Sequence, residues 1–409
     1  MTTLEGSPVP ARPAPGPAGI TARCALALAT FAATLVVLRA VAAAPGGSSI
    51  GGRLEAWRES GDEYDTLFVG TSHVLRAFVP AKFDEAFVSQ GGASRSCNFG
   101  VQGASLLETR WLLRELLDAQ PGIRRVFFEY QWLIPQIDPE NAFNPRSVYW
   151  HDAETTRLAV ARARHWGGAL GDELAIVERP SERYSVFTLL ERGAGGGERA
   201  ALQHVQHWLT ELFTLGRGKD VLKGLAGQRA SRSARAAASD GYLALEDEVA
   251  ALARAGNTEN SYSARRARFL EHQSEYQESV DRLDGEERVF GDGEWLDERL
   301  VRVDDLELVQ SIAREVQARG LEFVLVILPS QSCDRPFEER LMAELGAPVL
   351  RYNVPALYPR LYDVEYRFDS GHLSAEGADY FSRLLARDTA ALARDEGGEA
   401  VQPVREEQP

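Results

Sequence analysis

Short apolar runs recurring between helical stretches constrain this chain most strongly. Asp65-Thr66-Leu67-Phe68-Val69-Gly70, Arg125-Val126-Phe127-Phe128-Glu129-Tyr130 and Leu321-Glu322-Phe323-Val324-Leu325-Val326-Ile327-Leu328-Pro329 are continuous in hydropathy, not alternating. A strand of that kind is buried on both faces and needs a helix layer above and below. Arg95–Gly100 and Val349–Tyr352 read as further short strands. Leu106–Ala119 carries Leu107, Trp111, Leu112 and Leu116 at helical spacing and stops at Pro121-Gly122. Leu54–Gly61, Asp304–Arg319 and Ala375–Arg394 also read as helices. The alternation predicts an α/β fold: a three-layer α/β/α arrangement around a parallel sheet.

At 409 residues the chain exceeds one ordinary domain. The strand pattern falls into a first half at 62–150 and a second at 303–395. Residues 151–302 are helical in composition, charged and strand-poor, and read as a helical insertion or lid. Within them Gly193–Gly197 and residues 228–239 look like loops. Residues 396–409 read as a disordered tail.

The N-terminus bears on the compartment. Residues 1–24 form a Pro-, Ala- and Gly-rich leader with Arg12 and Arg23, and 25–44 are apolar apart from Arg39. A helix of that length spans roughly 30 Å, the thickness of a bilayer core. Basic residues upstream predict a single-pass signal anchor in the cell membrane with the bulk of the protein extracytoplasmic, in the periplasm. The rival readings are a signal peptide cleaved near Ala42-Ala43-Ala44 and a buried helix. Residues 45–61 begin as a linker at Gly46–Gly52.

A formal charge of −15 argues against nucleic-acid binding, which needs a basic surface. Cys24, Cys97 and Cys333 form no Cys-x-x-Cys or Cys/His cluster, so no zinc site is expected. Cys97 and Cys333 are either a disulfide or buried thiols. His204 and His207 share a helix face without acidic or thiol neighbours at ligand spacing, which does not suggest a metal pair.

The chemistry lies in two short blocks. Gly70-Thr71-Ser72-His73 closes the first strand, and Asp369-Ser370-Gly371-His372 precedes the last helix. A serine hydroxyl becomes a nucleophile when an imidazole takes its proton and a carboxylate holds that imidazole's tautomer. Ser72 at the carboxyl end of a parallel strand stands where open α/β sheets place their sites. Read singly, Ser72 is equally a helix cap and Asp369/His372 a capped helix start with a surface histidine; their joint occurrence favours a nucleophile system. His73 is expected to point away from Ser72, with a substrate contact or a second base as the alternatives. Arg76, one helical turn on, is a candidate to face substrate and hold an anionic group.

These blocks resemble the SGNH (GDSL-like) hydrolase superfamily, with Gly-x-Ser after the first strand and Asp-x-x-His before the last helix. Asn98-Phe99-Gly100-Val101-Gln102-Gly103 resembles its second block, which implies an oxyanion-hole role for the N–H of Gly103 beside that of Ser72. The third block departs. Its Gly-x-Asn is replaced by Glu129-Tyr130-Gln131-Trp132, closer to the Pro-Gln-Trp stretch of the membrane-anchored DltD proteins. Gln131 is then the candidate third donor and Trp132 a candidate substrate contact. The resemblance covers about 62–135 and 303–394. It implies a flavodoxin-like sheet and an acyl-ester hydrolase or acyltransferase that needs neither metal nor organic cofactor. It also implies an acyl ester or exported polysaccharide as substrate, and a polytopic membrane O-acyltransferase as partner. A simple esterase and a non-catalytic carbohydrate-binding scaffold are the alternatives.

Overall fold

A computed structural model describes residues 49–130, 149–173, 193–212, 240–257, 261–289 and 305–394, with residue 147 and parts of 25–34. The strands are β1 (Thr66–Gly70), β2 (Ser96–Gly100), β3 (Arg125–Glu129), β4 (Arg288–Val289), β5 (Glu322–Ile327), β6 (Cys333–Asp334) and β7 (Val349–Arg351). Five of them form one parallel sheet in the order β2-β1-β3-β5-β7, and β4 pairs antiparallel with β6. The described helices are α1 (Ser49–Ser60), α2 (Ser72–Ala77), α3 (Pro80–Ser89), α4 (Leu106–Ala119), α5 (Ala153–Glu173), α6 (Gly193–Leu212), α7 (Leu245–Arg254), α8 (Ser261–Glu271), α9 (Gln273–Gly285), α10 (Asp305–Gln317), α11 (Arg335–Glu344) and α12 (Ala375–Arg394).

Strand pleating sends successive side chains to opposite faces. Leu67 and Val69 therefore join α1, α4, α10 and α11 in one apolar cluster. Phe68 joins α2, α3, α9 and α12 in the other. Both faces of the sheet are thus covered, which is why its strands read as unbroken apolar runs. The strand order reverses at β1, whose neighbours are β2 and β3. At such a switch point a crevice opens beyond the carboxyl ends of the strands.

Two expectations are corrected. Gly51 and Gly52 lie inside α1 and not in a linker. Two helical glycines cost roughly 2 kcal/mol relative to alanine. Burial of Ile50, Leu54 and Trp57, and the bond from Trp57 Nε1 to Leu116 O at 3.0 Å, offset that cost. Gly193–Gly197 open α6 where a loop was expected; this helix packs along α5, and tertiary packing outweighs propensity there. Residues 228–239 lie outside the described residues. Cys97 and Cys333 are both buried and are not joined in a disulfide. Burial pushes the Cys97 thiol up to about 12. No helix among the described residues is long and apolar enough to cross a membrane; most of the 25–44 segment falls outside them.

Gly70 and Gly100, paired in register at the ends of β1 and β2, make close approaches possible. A Cβ on Gly70 would overlap the Glu129 and Val74 side chains, and one on Gly100 the Leu75 backbone. Gly100→Ala must therefore move α2 away from β2. It is expected to lower stability by about 1–3 kcal/mol in denaturant unfolding.

His151, just before α5, forms a buried histidine cluster with His204 and His207 of α6. His151 Nδ1–H donates to Ser147 O, which leaves Nε2 to accept from His204 Nδ1–H at 2.8 Å. The His207 ring stacks 5.0 Å from His151. Burial, then His204 and His207, push the His151 pKa down to about 2. Below the unfolded value near 6.5 the unfolded chain takes up a proton that the folded chain refuses, so stability falls as pH drops from there. Roughly 2–3 kcal/mol is lost from this group by pH 4.5. Amide exchange in α5 and α6 should accelerate between pH 6.5 and 4.5 beyond the intrinsic pH effect, and His151→Phe should suppress that acceleration.

Candidate active site

The turn that carries Ser72 is held from beneath. Thr71 caps α2 by accepting the His73 N–H at 3.1 Å on Oγ1. Its own hydroxyl donates to Glu129 Oε1 at 3.0 Å, and its N–H donates to Glu129 Oε2. Glu129, 3% exposed at the end of β3, thereby anchors the residue before Ser72. It also accepts from His73 Nδ1–H at 3.1 Å.

On the β2 side, buried Asn98 bonds in three directions. Its Nδ2 donates to Val74 O at 2.8 Å and Phe78 O at 2.7 Å, and its Oδ1 accepts the Gly100 N–H at 2.8 Å. Val101 N–H donates to Gly70 O at 2.9 Å, which lays the turn containing Gly103 beside Thr71 and Ser72. Gly103 has φ +63°, a conformation glycine adopts without strain. Among the described residues no group accepts from the amides of Ser72 or Gly103.

The loop before α12 completes the constellation. Asp369 Oδ1 accepts from Gly371 N–H at 2.9 Å, His372 N–H at 2.8 Å and His372 Nδ1–H at 2.9 Å. That fixes the His372 tautomer, and its Nε2 lies 3.1 Å from Ser72 Oγ. Burial opposes the Asp369 charge. The His372 hydrogen bond and charge, Arg265 and the Gly371 amide nevertheless hold its carboxyl well below the usual range. Burial pushes His372 down to about 4; Asp369 resists this, while His73 and Arg265 add to it. Above that pH the imidazole is neutral and able to accept a proton. Buried Arg367 braces the loop by donating to Ser370 O.

The structure thus brings Ser72, His372 and Asp369 together, with Gly103 on the adjoining turn. His73 is half-exposed; its Nδ1–H is held by Glu129 and its ring lies 5.1 Å from that of His372. Arg76 is not available to substrate. It is 2% exposed, donates to Leu243 O at 2.8 Å and pairs with Glu248. α2 ends one residue later, and the turn carries Arg76 into the interior. Gln131 and Trp132 lie outside the described residues. Two residues here were missed: Glu129, visible only as an acid closing an apolar strand, and Arg265, for which the sequence offers no signal. Arg265 Nη2 donates to Asp369 Oδ2. Among the described residues no cluster of His, Cys, Asp and Glu is arranged to hold a metal.

No protein-family model matches this sequence, and no curated protein matches it.

Proposed function

We propose that this chain is a serine-dependent acyl-ester hydrolase or acyltransferase of SGNH type, with a flavodoxin-like sheet order. The observation that carries the reading is the unbroken contact from Ser72 Oγ to His372 Nε2 at 3.1 Å and from His372 Nδ1 to Asp369 Oδ1 at 2.9 Å. His372 takes the Ser72 proton as Oγ attacks the acyl carbonyl carbon. The amides of Ser72 and Gly103 hold the oxyanion, and His372 then protonates the leaving oxygen. The resulting Ser72 ester passes its acyl group to a hydroxyl or to water, with His372 again taking the attacking proton. Asp369 holds the imidazole in register and supports its transient positive charge.

The biological setting we propose is O-acylation of a cell-envelope or exported polysaccharide. The chain would be tethered outside the cytoplasmic membrane by residues 25–44 and work beside a polytopic O-acyltransferase. The apolar N-terminal run and the motif resemblance support this setting. The test is turnover of an acetyl ester by the full chain, with and without a soluble polysaccharide acceptor, for wild type and Ser72→Ala. Ser72-dependent turnover supports the enzyme, and acyl appearing on the acceptor instead of in acetate supports transfer. Equal behaviour of the two folded proteins contradicts catalysis.

A further inference from the structure

We propose that the helical insertion is a working part of the reaction centre, with Arg265 of α8 a positioning residue that holds the outer oxygen of Asp369. This rests on the catalytic reading above. The three donors to Asp369 Oδ1 all come from its own loop, as Gly371 N–H, His372 N–H and His372 Nδ1–H. Oδ2 receives Arg265 Nη2 from a helix 104 residues earlier in the chain. A carboxylate gripped at both oxygens cannot rotate about its Cβ–Cγ bond, so the line from Asp369 to Ser72 keeps its direction. The same guanidinium nitrogen lies 3.1 Å from His372 Nδ1. A fixed cation at that distance resists a second positive charge on the ring.

Helix α8 does not depend on Arg265 for its place. Arg266 Nη1 donates to Phe368 O at 2.8 Å and also to Arg367 O. Phe269 is buried against Tyr276, with ring centroids 5.0 Å apart. Tyr262 Oη meets Gln102 Nε2 at 3.4 Å, beside Gly103. α8 therefore bridges the Asp369 loop and the Gly103 turn. The charged and titratable groups facing His372 come from three elements: Asp369 on its own loop, His73 on α2 backed by Glu129, and Arg265 on α8.

The experiment is the pH dependence of kcat/KM for p-nitrophenyl acetate with the full chain, in wild type, Arg265→Lys and Arg265→Gln. The acid limb reports the base in the free enzyme. Arg265→Gln removes a cation that opposes the imidazolium, so its limb should move up by about one pH unit, with kcat down roughly 10-fold or more. Arg265→Lys keeps the charge and should hold the limb within a few tenths of wild type. All three should melt alike, because Arg266, Phe269 and Tyr262 still dock α8. A limb unmoved in Arg265→Gln, whatever its rate, overturns the inference, as does loss of folding in that variant. Failure of the catalytic reading is a separate result, in which Ser72→Ala turns over the ester as fast as wild type.

Discussion

Alanine at Ser72 is expected to cut acetyl-ester turnover by about 10⁴-fold or more. The magnitude follows from how the three side chains work. In the proposed mechanism Ser72 supplies the attacking oxygen, and its hydroxyl is reactive only while His372 Nε2, 3.1 Å away, can take the proton. His372 in turn presents Nε2 only while Nδ1–H is bound to Asp369. Members of such a unit do not contribute additively. His372→Ala should therefore cost about as much as Ser72→Ala, and the double variant little more than either. Steady-state assays of the three proteins, each checked for native melting, measure this. Losses that multiply to roughly the product of the single effects would mean that Ser72 and His372 act independently.

Alanine at Glu129 is expected to give the largest stability loss among the site residues. That side chain accepts from the Thr71 amide, the Thr71 hydroxyl and His73 Nδ1–H. Removing it leaves the Thr71 donors unpaired beneath the Ser72 turn, each worth about 1–3 kcal/mol; half-exposed His73 recovers water. The sum is about 2–6 kcal/mol in denaturant unfolding. Turnover should fall by about 10² or more, because the residue preceding Ser72 loses its anchor. Glu129→Gln keeps the shape but turns one acceptor into a donor, so its loss should be intermediate. A Glu129→Ala protein as stable and active as wild type would show that the turn holds itself.

The parts of this fold visible in the sequence are those that local pattern dictates. Leu67–Val69 of β1, Val126–Phe128 of β3 and Phe323–Ile327 of β5 are unbroken apolar runs because both sheet faces are covered. α4 and α12 run over the residues their amphipathic spacing marks. Ser72 and the Asp369/His372 pair were legible because each block is contiguous. What escaped depends on residues distant in sequence. Glu129 acts on a turn 58 residues upstream, and a search for an amide donor at the end of β3 passes over a carboxylate acceptor. Arg265 reaches a loop more than a hundred residues away, and no helical period marks it. Arg76 misled for a related reason: it lies one turn from Ser72, yet its partner Glu248 is 172 residues on and draws it inward. The expected linker failed at residues 49–52, where composition records the helix cost of glycine and not the packing of Trp57 against α4.

The central claim, that Ser72 is a nucleophile activated by His372 and Asp369, is tested most directly by where a fluorophosphonate attaches. Intact-mass analysis followed by peptide mapping of the labelled full chain should give a single adduct on the peptide containing Ser72. That adduct should vanish in Ser72→Ala and form far more slowly in His372→Ala. A folded wild-type protein that stays unlabelled, or a label that persists unchanged in Ser72→Ala, would contradict the account.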